Sequence, residues 1–183
     1  MTPSLTQHLQ KMDRDLQELL DQLAPLGHDT LNRKPADGGW SALQVMHHLI
    51  LAETGSLNYV KKKLSFNPNL QNAGLGGGFR QFILRFYLGL PFKFKAPKGV
   101  GDDVLPQESD FQETARKWQE NRKDLQDYLS SLPDAYFDKD IYKHPFAGRM
   151  SLEGMVRFFD SHFERHRKQI ERVVYATTPK PPQ

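Results

Sequence analysis

Four stretches of this chain place apolar side chains three or four residues apart over about twenty residues, the repeat of one face of an α-helix. The first carries Leu5, Leu9, Met12, Leu16, Leu19 and Leu23 and is stopped by Pro25. The second opens at Ser41, with Gln44 three residues on as a capping box. It runs to about Lys63 through Met46, Ile50, Leu57, Val60 and Leu64. Ser109 and Gln112 repeat that start signal before a third stripe of Phe111, Ala115, Trp118, Leu125, Leu129 and Leu132, closed by Pro133. The fourth begins near Ser151 and reaches about Ala176, with Leu152, Met155, Phe158, Phe159, Phe163, Ile170 and Val173 on its apolar side. Four such helices, with no run that alternates like a strand, predict an all-α four-helix bundle. The linkers are long, so the pattern does not impose up-down-up-down neighbours. One domain is expected over residues 1–176, followed by a loose tail over 177–183, TTPKPPQ.

Residues 65–108 fit this pattern least. They pass through Gly74, Gly76, Gly77 and Gly78 and then become aromatic and basic. Phe79, Phe82, Ile83, Phe86 and Tyr87 would share one face of a short helix, with Arg80 and Arg85 off that face, and Phe92 and Phe94 alternate with Lys93 and Lys95. The segment reads as a crossover that packs its aromatics over one end of the bundle; a lid over a pocket and a partner- or membrane-surface patch are the alternatives. The glycines are no phosphate loop, because neither Gly-Lys-Ser nor Gly-Lys-Thr follows them and no strand precedes them.

Charge and cysteine content narrow the function. A net charge of +3 is too small to argue for nucleic acid. No stretch is apolar for long enough to insert stably in a bilayer, and the first residues lead into a helix without an apolar signal core, so a cytoplasmic location is expected. The chain has no cysteine, which excludes disulfides, iron–sulfur clusters and thiolate metal ligands.

The histidines carry the chemistry. His162 and His166 lie four residues apart and project from one helix face about one turn apart, the pitch that lets two imidazoles reach one ion. At about 100° per residue they fall in the arc of Met155, Phe158, Phe159 and Val173, within the apolar stripe. Burying two polar rings there is costly without partners, and a metal ion offsets that cost because neutral imidazole is a common ligand. A hydrogen-bonded pair of core histidines is the alternative. A third ligand from the second helix is either His47 or His48; each flanks the apolar arc, and their geometry does not choose between them. Phe163, Glu164 and Arg165 stand between His162 and His166, so no H-E-x-x-H zincin motif is present. Glu53 and Arg122 lie on the inward stripes of the second and third helices; the favoured reading has each reach solvent at a bundle edge with its stem packed on the core, and the alternative is a buried ion pair that orients a ligand or meets an anionic substrate group. Gln169 shares the face of His162 and reads equally as a hydrogen-bonding partner to a ligand or as an amide that snorkels to solvent. His144 precedes Pro145 in the turn before the last helix, and His8 and His28 read as surface or loop residues.

The string GGWSALQVMHHLILAE, from Gly38 to Glu53, resembles the second-helix signature of the DinB superfamily, especially its YfiT-like members, in which a Trp-Ser or Trp-Thr start leads to a histidine just before an aliphatic residue. HPFAGRMSLEGMVRFFDSHFERHRKQI, from His144 to Ile170, resembles the closing signature, a His-Pro and Gly turn before a helix with the histidine pair. The resemblance implies that His48, His162 and His166 are the ligands of one divalent ion, with His47 left to packing or hydrogen bonding. Zinc is the first expectation, with nickel or iron as the others. The family further implies either hydrolase chemistry or transfer of a low-molecular-weight thiol to a small-molecule electrophile, the second-helix signature favouring the thiol. The rival expectation is a non-enzymatic, stress-associated metal-binding protein, a homodimer that uses the aromatic, basic segment as its partner surface.

Overall fold

The computed structural model describes residues 1–72, 98–145 and 148–178. The helices are α1 (Pro3–Leu23), a short α2 (His28–Asn32), α3 (Ala42–Ser65), α4 (Phe111–Ser131) and α5 (Leu152–Thr177). A hairpin of β1 (Tyr142–His144) and β2 (Gly148–Met150) precedes α5. Among the described residues, the four long helices form the bundle that the apolar stripes predict. No helix among them is long and apolar enough to cross a membrane. The aromatic and basic residues from Phe79 to Lys95, and the tail beyond Thr178, lie outside the described residues.

Local chemistry sets the helix starts. Thr2, Ser41 and Ser151 each accept a hydrogen bond from the backbone N–H three residues on, and at Ser41 the Gln44 side chain returns one to complete the capping box. The start of α4 corrects the expected Ser109–Gln112 cap: Asp110 is the N-cap and accepts from Glu113 N at 2.8 Å. Ser109 is otherwise engaged, its N–H on Asn32 Oδ1 (2.9 Å) and its hydroxyl on His47 Nε2 (2.8 Å). The end of α5 is also corrected. Thr177 is helical and buried, and its hydroxyl donates to Val173 O and to Thr30 O of α2, so the loose tail does not begin there. The hairpin and α2 are additions to the predicted elements. Gly148, with φ of +74°, turns the hairpin where an L side chain would be strained.

The core shows how the chain is threaded. One cluster joins Leu5 and Leu9 of α1 to Leu57 and Val60 of α3, Leu125 and Leu129 of α4 and Met155 and Phe159 of α5. The other joins Leu19 and Leu23 of α1 to Leu43 and Met46 of α3, Trp118 of α4 and Phe163 and Ile170 of α5. The start of α1 therefore meets the ends of α3 and α4 and the start of α5. With α1 taken as up, α3 and α4 both run down and α5 runs up. Two consecutive parallel helices require a connection that returns the whole length of α3, whose 24 residues span about 36 Å. The order of the helices therefore requires a long linker between α3 and α4, as the sequence has. Its last limb arrives beside the start of α3, where His47 and His48 stand.

Candidate metal centre

α3 and α5 pack along their length, and the three histidines meet along that seam. His48 follows Met46 in the first half of α3. His162 and His166 occupy successive turns of α5 among Phe158, Phe159, Phe163 and Ile170. All three are buried, at 5%, 8% and 8% exposure. One ring nitrogen from each can be chosen so that all three lie within 4.8 Å of one another. The ring centroids stand 5.1 Å (His48–His162), 4.8 Å (His48–His166) and 4.6 Å (His162–His166) apart.

Neighbouring acceptors set the tautomers. The carbonyl of Val100, in the last limb of the crossover, lies 2.6 Å from His48 Nδ1. A carbonyl can only accept, so His48 carries its proton on Nδ1 and presents a lone pair on Nε2. Gln169 Oε1, 2.8 Å from His166 Nδ1, does the same for His166. His48 Nε2 then stands 3.3 Å from His162 Nε2. Two lone pairs at that distance repel unless a proton or a cation lies between them. A proton on His162 Nε2 satisfies that pair alone, whereas a cation also uses the lone pair of His166. Nitrogens about 2.0–2.1 Å from a tetrahedral ion lie roughly 3.3–3.4 Å from each other, the spacing of this pair. His162 Nδ1 is buried and without a hydrogen-bond partner among the described residues, so no neighbour fixes its tautomer as Val100 and Gln169 fix the other two, and the spacing of the nitrogens carries the fit. The donor set therefore fits a divalent ion that takes imidazole nitrogen.

Electrostatics keep these rings neutral. Burial holds His162 well below the ordinary histidine range, and the neighbouring His166 and His48 add to the effect. Burial, with His48 beside it, lowers His166 to about 3. Burial also lowers His48, partly offset by the Val100 carbonyl. At neutral pH the cluster offers lone pairs rather than charges, the state a cation needs.

The other residues singled out from the sequence divide by position. Gln169 orients His166. His47 turns away from the cluster to Ser109 Oγ (2.8 Å) and Thr114 Oγ1 (3.3 Å). Glu53 and Arg122 form a bidentate ion pair, Nε to Oε2 at 2.6 Å and Nη2 to Oε1 at 2.7 Å, with both side chains at most 3% exposed. Trp118 Nε1 and Asn121 Nδ2 also donate to Glu53, and the guanidinium lies 5.8 Å from the Phe163 ring centre. The pair thus joins α3 to α4 within the core. His144 is buried, with burial pushing it down to about 4. Its ring meets Phe158 at 4.4 Å, and Phe158 stacks on His162 at 5.1 Å and 17°. Sequence reasoning missed Val100, and it used Trp40 only as part of a motif. Trp40 packs its ring 5.0 Å from that of His48. Two clefts lie elsewhere: one of about 180 Å³ between α1 and α4, bounded by Asp13, Gln17, Gln119 and Arg122, and one of about 330 Å³ around Lys63, Asp140 and Arg149.

With this geometry in view, comparisons with known proteins agree on the fold. YfiT from Bacillus subtilis, described as a probable metal-dependent hydrolase with an unusual four-helix bundle topology, superposes with a TM-score of 0.61 at 16% identity, covering 94% of this chain and 87% of that one. No curated protein matches the chain. A model of the DinB superfamily matches residues 8–170. The chain belongs to the DinB superfamily.

Proposed function

We propose that this protein is a metal-dependent enzyme in which His48, His162 and His166 hold one divalent ion, with zinc the first choice and nickel or iron the others. The observation that carries this reading is the convergence of three buried imidazoles, two of them held by Val100 O and Gln169 Oε1 so that Nε2 is their lone-pair nitrogen. An ion held by three protein ligands keeps coordination positions for reactants and lowers the pKa of a water or thiol that occupies one. The protein's own part is to keep the three rings neutral, fix the tautomers of His48 and His166 and wall the site with the aromatic rings of Trp40 and Phe158. The description of YfiT as a probable metal-dependent hydrolase supports a hydrolytic use of such a site. A low-molecular-weight thiol is the other candidate nucleophile, and it would have to be a cosubstrate because the chain has no cysteine.

A two-armed assay of the zinc-loaded protein tests this reading. One arm follows hydrolysis of nitrophenyl esters and anilides; the other follows loss of a small thiol in the presence of chlorodinitrobenzene. Turnover in either arm that disappears in His48→Ala supports the enzyme and names the nucleophile. Activity that persists in His48→Ala refutes the assignment of the site.

A further inference from the structure

His48 is held by a backbone carbonyl, and that carbonyl belongs to a loop with anchors of its own. Trp40 Nε1 donates to Asp102 Oδ1 at 2.5 Å, two residues beyond Val100. Gly99, with φ of +85°, turns the chain and donates its N–H to Asp103 Oδ2 at 2.8 Å. Val104 N and Leu105 N return to Gly101 O, and Leu105 is buried at 6% exposure. Gln44 Nε2 then reaches Pro106 O at 2.9 Å. The start of α3 is therefore stitched to this limb beyond Val100, at Asp102 and again at Pro106, and the tryptophan that makes one of the stitches also packs its ring on His48.

We propose that Trp40 and Asp102 are positioning residues for the metal centre: their hydrogen bond seats the loop from Gly99 to Leu105 so that the Val100 carbonyl holds His48 in its ligating tautomer and orientation. Metal affinity then depends on the seating of the crossover's return limb. Linkage makes this reciprocal, so a bound ion tightens the loop by the factor with which the seated loop tightens the ion. Anything that unseats residues 99–105 changes how well the centre holds metal.

The inference rests on the proposed metal centre, and the test separates the two. Zinc affinity is measured by chelator competition for wild type, Asp102→Ala, Trp40→Phe and Asp102→Asn. Long-range ¹H–¹⁵N spectra of the metal-free proteins report the His48 tautomer. Partners that orient a ligating histidine are worth about 10–100-fold in affinity, and these act one step further away, so Asp102→Ala and Trp40→Phe should bind about ten-fold more weakly and show a mixed His48 tautomer. Asp102→Asn keeps an oxygen acceptor for Trp40 and should stay close to wild type. In wild type, zinc should slow amide exchange of residues 99–105 by a similar factor. If Asp102→Ala and Trp40→Phe bind zinc as tightly as wild type while only their melting temperatures fall, the two residues are structural and this inference alone fails. If wild type binds no zinc, the metal-centre reading fails and takes this inference with it.

Discussion

Acid should unfold the metal-free protein at an unusually high pH. An unfolded histidine takes up its proton near 6.5, whereas in the folded chain burial holds His144 at about 4, His166 at about 3 and His162 well below the ordinary value. Below 6.5 the unfolded state therefore binds protons that the folded state refuses. Stability is fully present above that pH and is lost as the pH falls towards the folded-state values. Each such group removes roughly 1 kcal/mol between pH 7.0 and 5.5. His144 and His166 together remove about 2–3 kcal/mol over that window, and His162 and His48 act in the same direction. For a chain of this length the His144 and His166 part alone lowers the melting temperature by roughly 4–12 °C. Scanning calorimetry of the chelator-treated protein at the two pH values measures the fall. His144→Asn should recover part of it, because one proton leaves the balance. Saturating zinc should flatten the dependence by holding the cluster against protons. A melting temperature that does not change between pH 7.0 and 5.5, or one whose fall is the same in His144→Asn and His166→Asn as in wild type, refutes the view that these rings are buried and neutral.

Three further outcomes follow from the packing. Arg122→Met strands the Glu53 carboxylate in the core and should cost about 3–5 kcal/mol in chemical denaturation, whereas the Glu53→Met/Arg122→Met double variant should recover most of that loss. Gln169→Leu removes the acceptor on His166 Nδ1 and should weaken zinc binding at least ten-fold, as chelator competition would show, and the stranded N–H should cost the metal-free protein about 1–3 kcal/mol. Trp118→Ala, at a fully buried position that packs on Phe163 (ring centres 5.8 Å apart), should cost about 3–5 kcal/mol of stability in denaturant titration.

The helices were legible in the sequence because each buries one stripe, and a stripe spaced at 3.6 residues needs no knowledge of its partners. Helix starts were legible where one residue offered a cap, as at Ser41 and Ser151. They were not at Ser109 and Asp110, two adjacent residues able to cap, where long-range bonds to Asn32 and His47 take up the serine. The three-residue strands of the hairpin are too short to show an alternating pattern. At the site, periodicity placed His162 and His166 on the buried face but left His47 and His48 undecided, since both flank the stripe of α3. Contacts far along the chain distinguish them. His48 meets Val100 and His162, while His47 meets Ser109 and Thr114. Val100 itself was invisible, because its part is played by a backbone carbonyl, a group every residue carries.

Whether three histidines of this chain hold one divalent ion is decided most directly by elemental analysis of protein purified without chelator, beside His48→Ala and His162→Ala. Close to one equivalent of a divalent metal, zinc first, is predicted in the wild type, with its loss from both variants. Folded wild-type protein that carries no stoichiometric metal, and takes none up from added zinc, nickel or iron, would contradict the metal centre.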